Sequence, residues 1–262
     1  MKVTAVIPTV GRTETLPMVL HSLACQTWPV SDLIVLDEAA RPVSESYVVN
    51  QAMDLLSLQG AGVKILRRRH RRGIAAARLE LAAEARTELV LMVDDDVVLR
   101  PDCLQLLMEK RTTDFAWAVP YCFLVSAAFR RDGYRDSVVS KDASVVREWT
   151  ARYPWFVPYF NYAEDFTQAI DVAGTQCILW NRSEFLEEAG GVEKLGRLPR
   201  EDTYLTKVTG PGLFVSRARV DHFEDDSQAG RGAWESSVFY RMHTAVMEDP
   251  EGFLRVMGGK DG

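Results

Sequence analysis

The sequence predicts an α/β fold, with a mostly parallel central sheet flanked by helices, on three observations. Largely apolar runs at 3–7, 33–36 and 89–93 have strand length, as expected of strands covered on both faces, and 63–66 reads as a further strand between them. Segments of helical apolar spacing separate them, so strand and helix alternate from the first residue. Polar residues gather where these strands leave the sheet: Thr9, Asp37 with Glu38, and Asp94-Asp95-Asp96. In parallel sheets, ligands sit beyond the carboxyl ends of the strands, so these positions converge on one binding edge.

Taken in order, the first strand ends at Pro8-Thr9, and residues 13–24 place Leu16, Val19, Leu20 and Leu23 on one helical face. The second strand, 33–36, is followed by a helical pattern over 44–58 that Gly60-Ala61-Gly62 breaks. Strand 63–66 precedes an Ala-rich helix over 74–86, opened by Gly73, and strand 89–93 carries the acidic triplet. The second half is less regular. Residues 115–125 read as a strand, and 130–165 as an insertion or loop region rich in aromatics, among them Trp149, Trp155, Phe156, Tyr159, Phe160 and Tyr162. Strands are expected around Gly174, at 170–173 and 177–180, then a helix over 183–189 stopped by Gly190-Gly191. Another helix opens at 199–205 with Glu201 and Asp202 in its first turn, where the helix dipole favours acids. The tail from 226 is expected to be helical and to fray at its end, with no linker that would require a second domain.

Composition bounds the function. The 262 residues are 47% apolar and 26% charged, ordinary for a globular chain, and the net charge of −6 argues against generic polyanion binding over the whole surface. Four widely spaced cysteines without a CxxC pair indicate reduced thiols, hence a cytoplasmic protein, and exclude sulfur as a metal ligand set. No stretch approaches the roughly 20 apolar residues of a membrane span, and the amino terminus lacks the pattern of a signal peptide.

The triplet Asp94-Asp95-Asp96 is the chemical focus. Adjacent carboxylates repel, so a fold that gathers them at a strand end invites a divalent cation and the phosphate it neutralises; in isolation a solvated acidic turn fits equally well.

Context favours the first reading, because the motifs around the triplet resemble inverting GT-A glycosyltransferases of the family 2 type over about residues 3–225. Val6-Ile7-Pro8-Thr9-Val10-Gly11-Arg12 resembles that family's first strand and nucleotide loop, and Val35-Leu36-Asp37-Glu38 its second-strand acidic motif. Gly73 to Arg78 resembles its Gly-x-x-x-Ala-Arg helix start, and Asp94-Asp95-Asp96 its DXD segment. Gly174 with Glu201-Asp202 is similar to its late Gly and Glu-Asp pair, and Val220-Asp221-His222 to its metal-binding His. The resemblance implies one GT-A domain over 1–225, with a nucleotide-sugar half (1–100), an acceptor half (101–225) and the tail 226–262 against it. It implies a nucleoside-diphosphate sugar donor, UDP foremost with GDP and dTDP open, and a hydroxyl acceptor that the sequence does not identify.

Residue roles follow from the resemblance. Asp96 and His222 are the expected ligands of Mn2+ or Mg2+, the imidazole favouring Mn2+. Asp94 and Asp95 would hold ribose or sugar hydroxyls. Thr9, Asp37 and Glu38 would meet the base, with Pro8 among the nucleotide-sugar-binding residues and Arg12 and Arg78 near the nucleotide and the acids. Asp202 is the expected general base, with Glu201 the alternative.

Two departures stand out. Arg71 replaces an expected Asn inside the run Arg67-Arg68-Arg69-His70-Arg71-Arg72, which fits contact with a polyanion, an anionic membrane surface or plain solvent. Glu38 stands where many members carry Asp, which leaves base selectivity open. The rivals are a nucleotidyltransferase, for which the glycine-rich phosphate loop is missing, and a nucleic-acid-acting protein, either a glycosyltransferase of modified DNA bases or a binding module built on the basic run.

Overall fold

The computed structural model describes residues 1–124, 166–171, 173–192, 201–223 and 249. Within them β1 (Val3–Thr9), α1 (Leu16–Ala24), β2 (Asp32–Asp37), α2 (Tyr47–Leu58), β3 (Gly62–Arg67), α3 (Ile74–Glu84) and β4 (Leu89–Val93) occur where alternation places them. There follow β5 (Val97–Leu99), α4 (Cys103–Lys110), β6 (Trp117–Leu124), β7 (Thr167–Ile170), β8 (Cys177–Asn181), α5 (Arg182–Glu188), α6 (Glu201–Val208) and β9 (Gly212–His222). The aromatic stretch 149–162 and the tail from 226, apart from residue 249, lie outside the described residues.

The sheet order is β3-β2-β1-β4-β8-β6-β9-β5, with β7 also paired to β9. β1 pairs in parallel with β2 and β4, and β2 with β3. β8 runs antiparallel to both β4 and β6, while β6 and β9 are parallel, so the sheet is mixed and largely parallel.

Strand alternation divides the core between the two faces. Val3, Ala5, Ile7, Leu33, Val35, Leu89, Leu91 and Val93 meet Leu16, Val19, Leu20, Leu23, Met53, Leu56, Leu104 and Leu107 of α1, α2 and α4. Val6, Ile34, Leu36, Val90 and Met92 meet Ala75, Ala77, Leu81 and Ala82 of α3, with Trp117, Trp180, Phe185 and Phe214. Fully burying one such aliphatic side chain stabilises the fold by roughly 1.5–3 kcal/mol, so helices cover both faces and binding is left to the strand ends.

Backbone pairing fixes the acidic triplet at that edge. Val93 pairs with Cys177, and Val97 lies opposite His222. The Asp94 N–H donates to the Gln176 carbonyl at 2.8 Å, and the Phe223 N–H donates to the Asp96 carbonyl at 2.8 Å. The three acids are therefore held between β8 and β9, a short distance from Thr9, which pairs in register with Asp37.

Candidate active site

Each acid of the triplet has a different partner. Asp95 is buried; its Oδ2 accepts the Thr9 hydroxyl at 2.6 Å and its Oδ1 accepts Arg12 Nη1 at 3.1 Å. The Thr15 hydroxyl donates to its carbonyl at 2.8 Å. Burial pushes the Asp95 carboxyl up to about 6, opposed by Thr9 and Arg12 and reinforced by the charges of Asp96 and Asp94.

Asp96 divides its oxygens. Oδ2 pairs with Arg12, and Oδ1 lies 3.3 Å from His222 Nε2. Burial opposes the charge on His222, yet Asp96 and Cys122 outweigh it and push the imidazole up to about 10. Asp96 Oδ1 and His222 Nδ1 are buried with no hydrogen-bond partner among the described residues, so the 3.3 Å approach is an ion pair without hydrogen-bond geometry.

Asp94 faces the other way. Its Oδ1 accepts Arg78 Nη2 at 2.9 Å, and Arg78 Nη1 donates to Glu201 Oε1 at 2.9 Å. Arg78 is only 3% exposed, so one buried guanidinium ties the end of β4 to the start of α6. Burial, then repulsion from Asp202, pushes Glu201 up to about 7 against the pull of Arg78. Asp202 occupies the same first turn, its Oδ1 accepting the Thr203 N–H at 2.7 Å.

A cavity of about 490 Å³ opens over these groups. Pro8, Thr9, Arg12, Glu38, Asp94, Asp95, Asp96 and His222 all line it, so eight residues anticipated from sequence meet on one surface. Arg71, Gly73, Ile74, Ala77 and Gln176 line it too; Gln176 carried no sequence signal, because a lone polar residue before a strand is unremarkable. Backbone shape matters at two glycines. Gly11 has φ 105° and a Cβ there would lie 2.8 Å from Ala39 Cβ; Gly73 has φ 98° at the start of α3, where side-chain-bearing residues are strained.

Four anticipated residues lie outside the lining. Asp37 is fully buried, and its carboxylate accepts the N–H groups of Ala39 and Val43, each at 2.9 Å, and pairs with Arg67 at 3.1 Å. It shapes the loop after β2, while Glu38 faces the cavity and is 3.4 Å from the Arg72 N–H. Arg78 and Glu201 form the bridge behind the acids, and Asp202 stands on α6 beside it. The basic run is largely consumed internally: Arg67 bonds Asp37 and the Ala39 carbonyl, Arg68 and Arg72 both pair with Glu80, and Arg71 reaches the Val10 carbonyl at 3.4 Å. Arg69 and His70 are exposed.

The donors fit a divalent cation. Two ligands about 2.1 Å from one ion at right angles stand about 3.0 Å apart, close to the separation of Asp96 Oδ1 and His222 Nε2. Asp96 Oδ1 is buried and lacks a hydrogen-bond partner, and His222 as a whole is buried. Among the described residues no group of three or more His, Cys, Asp or Glu is arranged to hold a metal, so a cation bound here would need further ligands from substrate and water.

A family described as "Glycosyl transferase family 2" matches residues 4–166. No curated protein matches the chain in sequence. Among solved structures, GalNAc-T7 with UDP, GalNAc and Mn2+ is similar at TM-score 0.62 and 14% identity, over 86% of this chain and 44% of that one. S. aureus TarS with UDP matches at TM-score 0.59 and 15% identity, over 98% of this chain and 70% of that one. S. aureus TarS with UDP-GlcNAc matches at TM-score 0.56 and 15% identity, over 86% and 59%. At such identities the likeness is one of fold, and the chain spans less than half the length of the GalNAc-T7 chain.

Proposed function

Because the chain belongs to glycosyl transferase family 2, we propose that it moves a sugar from a nucleoside-diphosphate donor, with UDP favoured, to a hydroxyl acceptor with inversion and in a metal-dependent way. One observation carries the reading: a single cavity joins Thr9, Glu38, Arg12, the three acids and His222. The similar structures of GalNAc-T7 with UDP, GalNAc and Mn2+, and of TarS with UDP and with UDP-GlcNAc, support the same donor and cation.

In this reading Glu38, Pro8 and Thr9 meet the base, Asp94 and Asp95 take ribose or sugar hydroxyls, and Arg12 and Arg71 face the diphosphate. Asp37 acts indirectly, by holding the loop that presents Glu38. Asp96 and His222 would hold Mn2+ or Mg2+, which would supply positive charge to the departing diphosphate. Asp202 takes the acceptor hydroxyl proton as the acceptor oxygen attacks the anomeric carbon. A base so used needs a lone pair free of a strong cation. Glu201 is tied to Arg78 at 2.9 Å, whereas the Asp202 hydrogen bond comes from a neutral backbone N–H, so the role falls to Asp202.

A nucleic-acid-binding role finds little support, since Arg67, Arg68 and Arg72 are engaged in internal pairs. Arg69, His70 and Arg71 are what the run offers to an anionic acceptor or membrane surface. We also propose a cytoplasmic placement, which rests on the cysteine spacing of the sequence; among the described residues no helix is long and apolar enough to cross a membrane. The test is a panel of UDP-, GDP- and dTDP-sugars assayed for nucleotide release with Mn2+ and with chelator. Metal-dependent release from one of them is expected; no release and no thermal stabilisation by any donor would refute the reading.

A further inference from the structure

The buried guanidinium of Arg78 is not explained by contact with a donor, because it lies behind the cavity rather than in its lining. It makes two 2.9 Å charge-assisted bonds, to Asp94 at the end of β4 and to Glu201 at the start of α6, while its Nε has no hydrogen-bond partner. Burying a guanidinium is costly unless its charge is paired, and here two carboxylates from distant parts of the chain provide that pairing.

We infer that Arg78 is a positioning residue: through Glu201 it fixes the first turn of α6 against the acidic triplet and thereby sets where the Asp202 carboxylate stands relative to the cation site. The inference rests on the transferase reading given above. Glu201 and Asp202 are adjacent in one turn, so whatever holds the first also orients the second. Contact between α3 and α6 is otherwise sparse, so the bridge is their main polar connection among the described residues. Lysine, with one ammonium, cannot span two carboxylates as the planar fork does, which makes Arg78→Lys a test of geometry at constant charge.

The experiment compares wild type, Arg78→Lys, Asp202→Asn and the double variant, using the donor that wild type turns over. Arg78→Lys should lower kcat on the order of 10²-fold, as expected when a reacting group is misplaced, with the donor KM within about threefold of wild type. In the Asp202→Asn background the same change should lower kcat no further. Equal fractional losses in both backgrounds, or a loss confined to KM, would overturn the inference. A readout independent of activity is the titration of the Glu201 carboxyl by 13C NMR in the metal-free protein. The groups facing it are Arg78 from α3, Asp94 from the end of β4 and Asp202 from α6. In Arg78→Gln, removal of the opposing positive charge should move its midpoint upward from about 7. An unmoved midpoint would mean that the bridge does not hold Glu201. Wild type that turned over no donor would sink the transferase reading, and the titration would still judge the bridge.

Discussion

Asp95→Asn should stabilise the metal-free protein at neutral pH relative to acid, the reverse of the usual effect of removing a hydrogen-bonded buried carboxylate. Asp95 is 4% exposed, and burial followed by the charges of Asp96 and Asp94 holds its carboxyl at about 6, although Thr9 and Arg12 oppose this. The sign follows from proton uptake. An acid whose value in the fold lies above its exposed value of 3.8 binds more protons when folded, so stability falls as pH rises through the window from 3.8 to about 6. The full effect is about 3 kcal/mol, absent below pH 3.8 and complete above about 6. Asparagine has no such titration. Guanidinium denaturation of both proteins without metal, at pH 4 and pH 7, should show the stability of the variant relative to wild type rising by about 2–3 kcal/mol across that interval. Comparing the change across pH, rather than either value alone, removes whatever asparagine loses in its bonds to Thr9 and Arg12. A pH-independent difference would refute the claim that burial, with the charges of Asp96 and Asp94, holds the Asp95 carboxyl above its ordinary value.

The His222 imidazole, held at about 10 beside Asp96, must lose its proton to coordinate a cation. Apparent Mn2+ affinity, read by calorimetry with UDP present, should therefore rise about tenfold per pH unit between 6.5 and 8.5 in wild type. His222→Ala should weaken binding and flatten that slope; an unchanged slope would remove His222 from the ligand set. Asp37→Asn acts on the fold instead, because its carboxylate accepts the N–H groups of Ala39 and Val43 and pairs with Arg67. A loss of about 3 kcal/mol is expected in denaturant unfolding, and a variant as stable as wild type would show that these bonds do not hold the loop after β2.

The first half of the fold was legible because its physics is local. Runs such as Leu89-Val90-Leu91-Met92-Val93 are apolar on both faces, and the intervening helices show their spacing openly. The convergence of Thr9, Glu38 and Asp94-Asp95-Asp96 follows from parallel topology alone, which is why most of the cavity lining was anticipated. What escaped depends on tertiary pairing. β5 is three residues long and exists as a strand through its pairing with β9, the strand that ends at His222. The buried face of α4, Cys103, Leu104 and Leu107, was readable after Pro101. Asp37 and Glu38 are adjacent and chemically alike, and no sequence pattern separates the one that anchors a loop from the one that faces the cavity. The Gly73-to-Arg78 motif places Arg78 near the acids, where it meets Asp94; only the arrival of α6, more than 120 residues later, gives it a second carboxylate.

The central claim, that Asp202 removes the acceptor proton in a metal-dependent transfer, is tested most directly by the rate of nucleotide release from the donor that wild type uses, with Mn2+ present and water as acceptor. Asp202→Asn keeps size and the capacity to accept the Thr203 N–H but cannot take a proton, so the rate should fall by roughly 10²- to 10⁴-fold while donor affinity stays near wild type. Glu201→Gln should cost much less, because the amide oxygen still accepts the Arg78 N–H and so keeps the bridge that positions Asp202. Near-normal release by Asp202→Asn with donor and metal bound, or a larger loss in Glu201→Gln, would contradict the account.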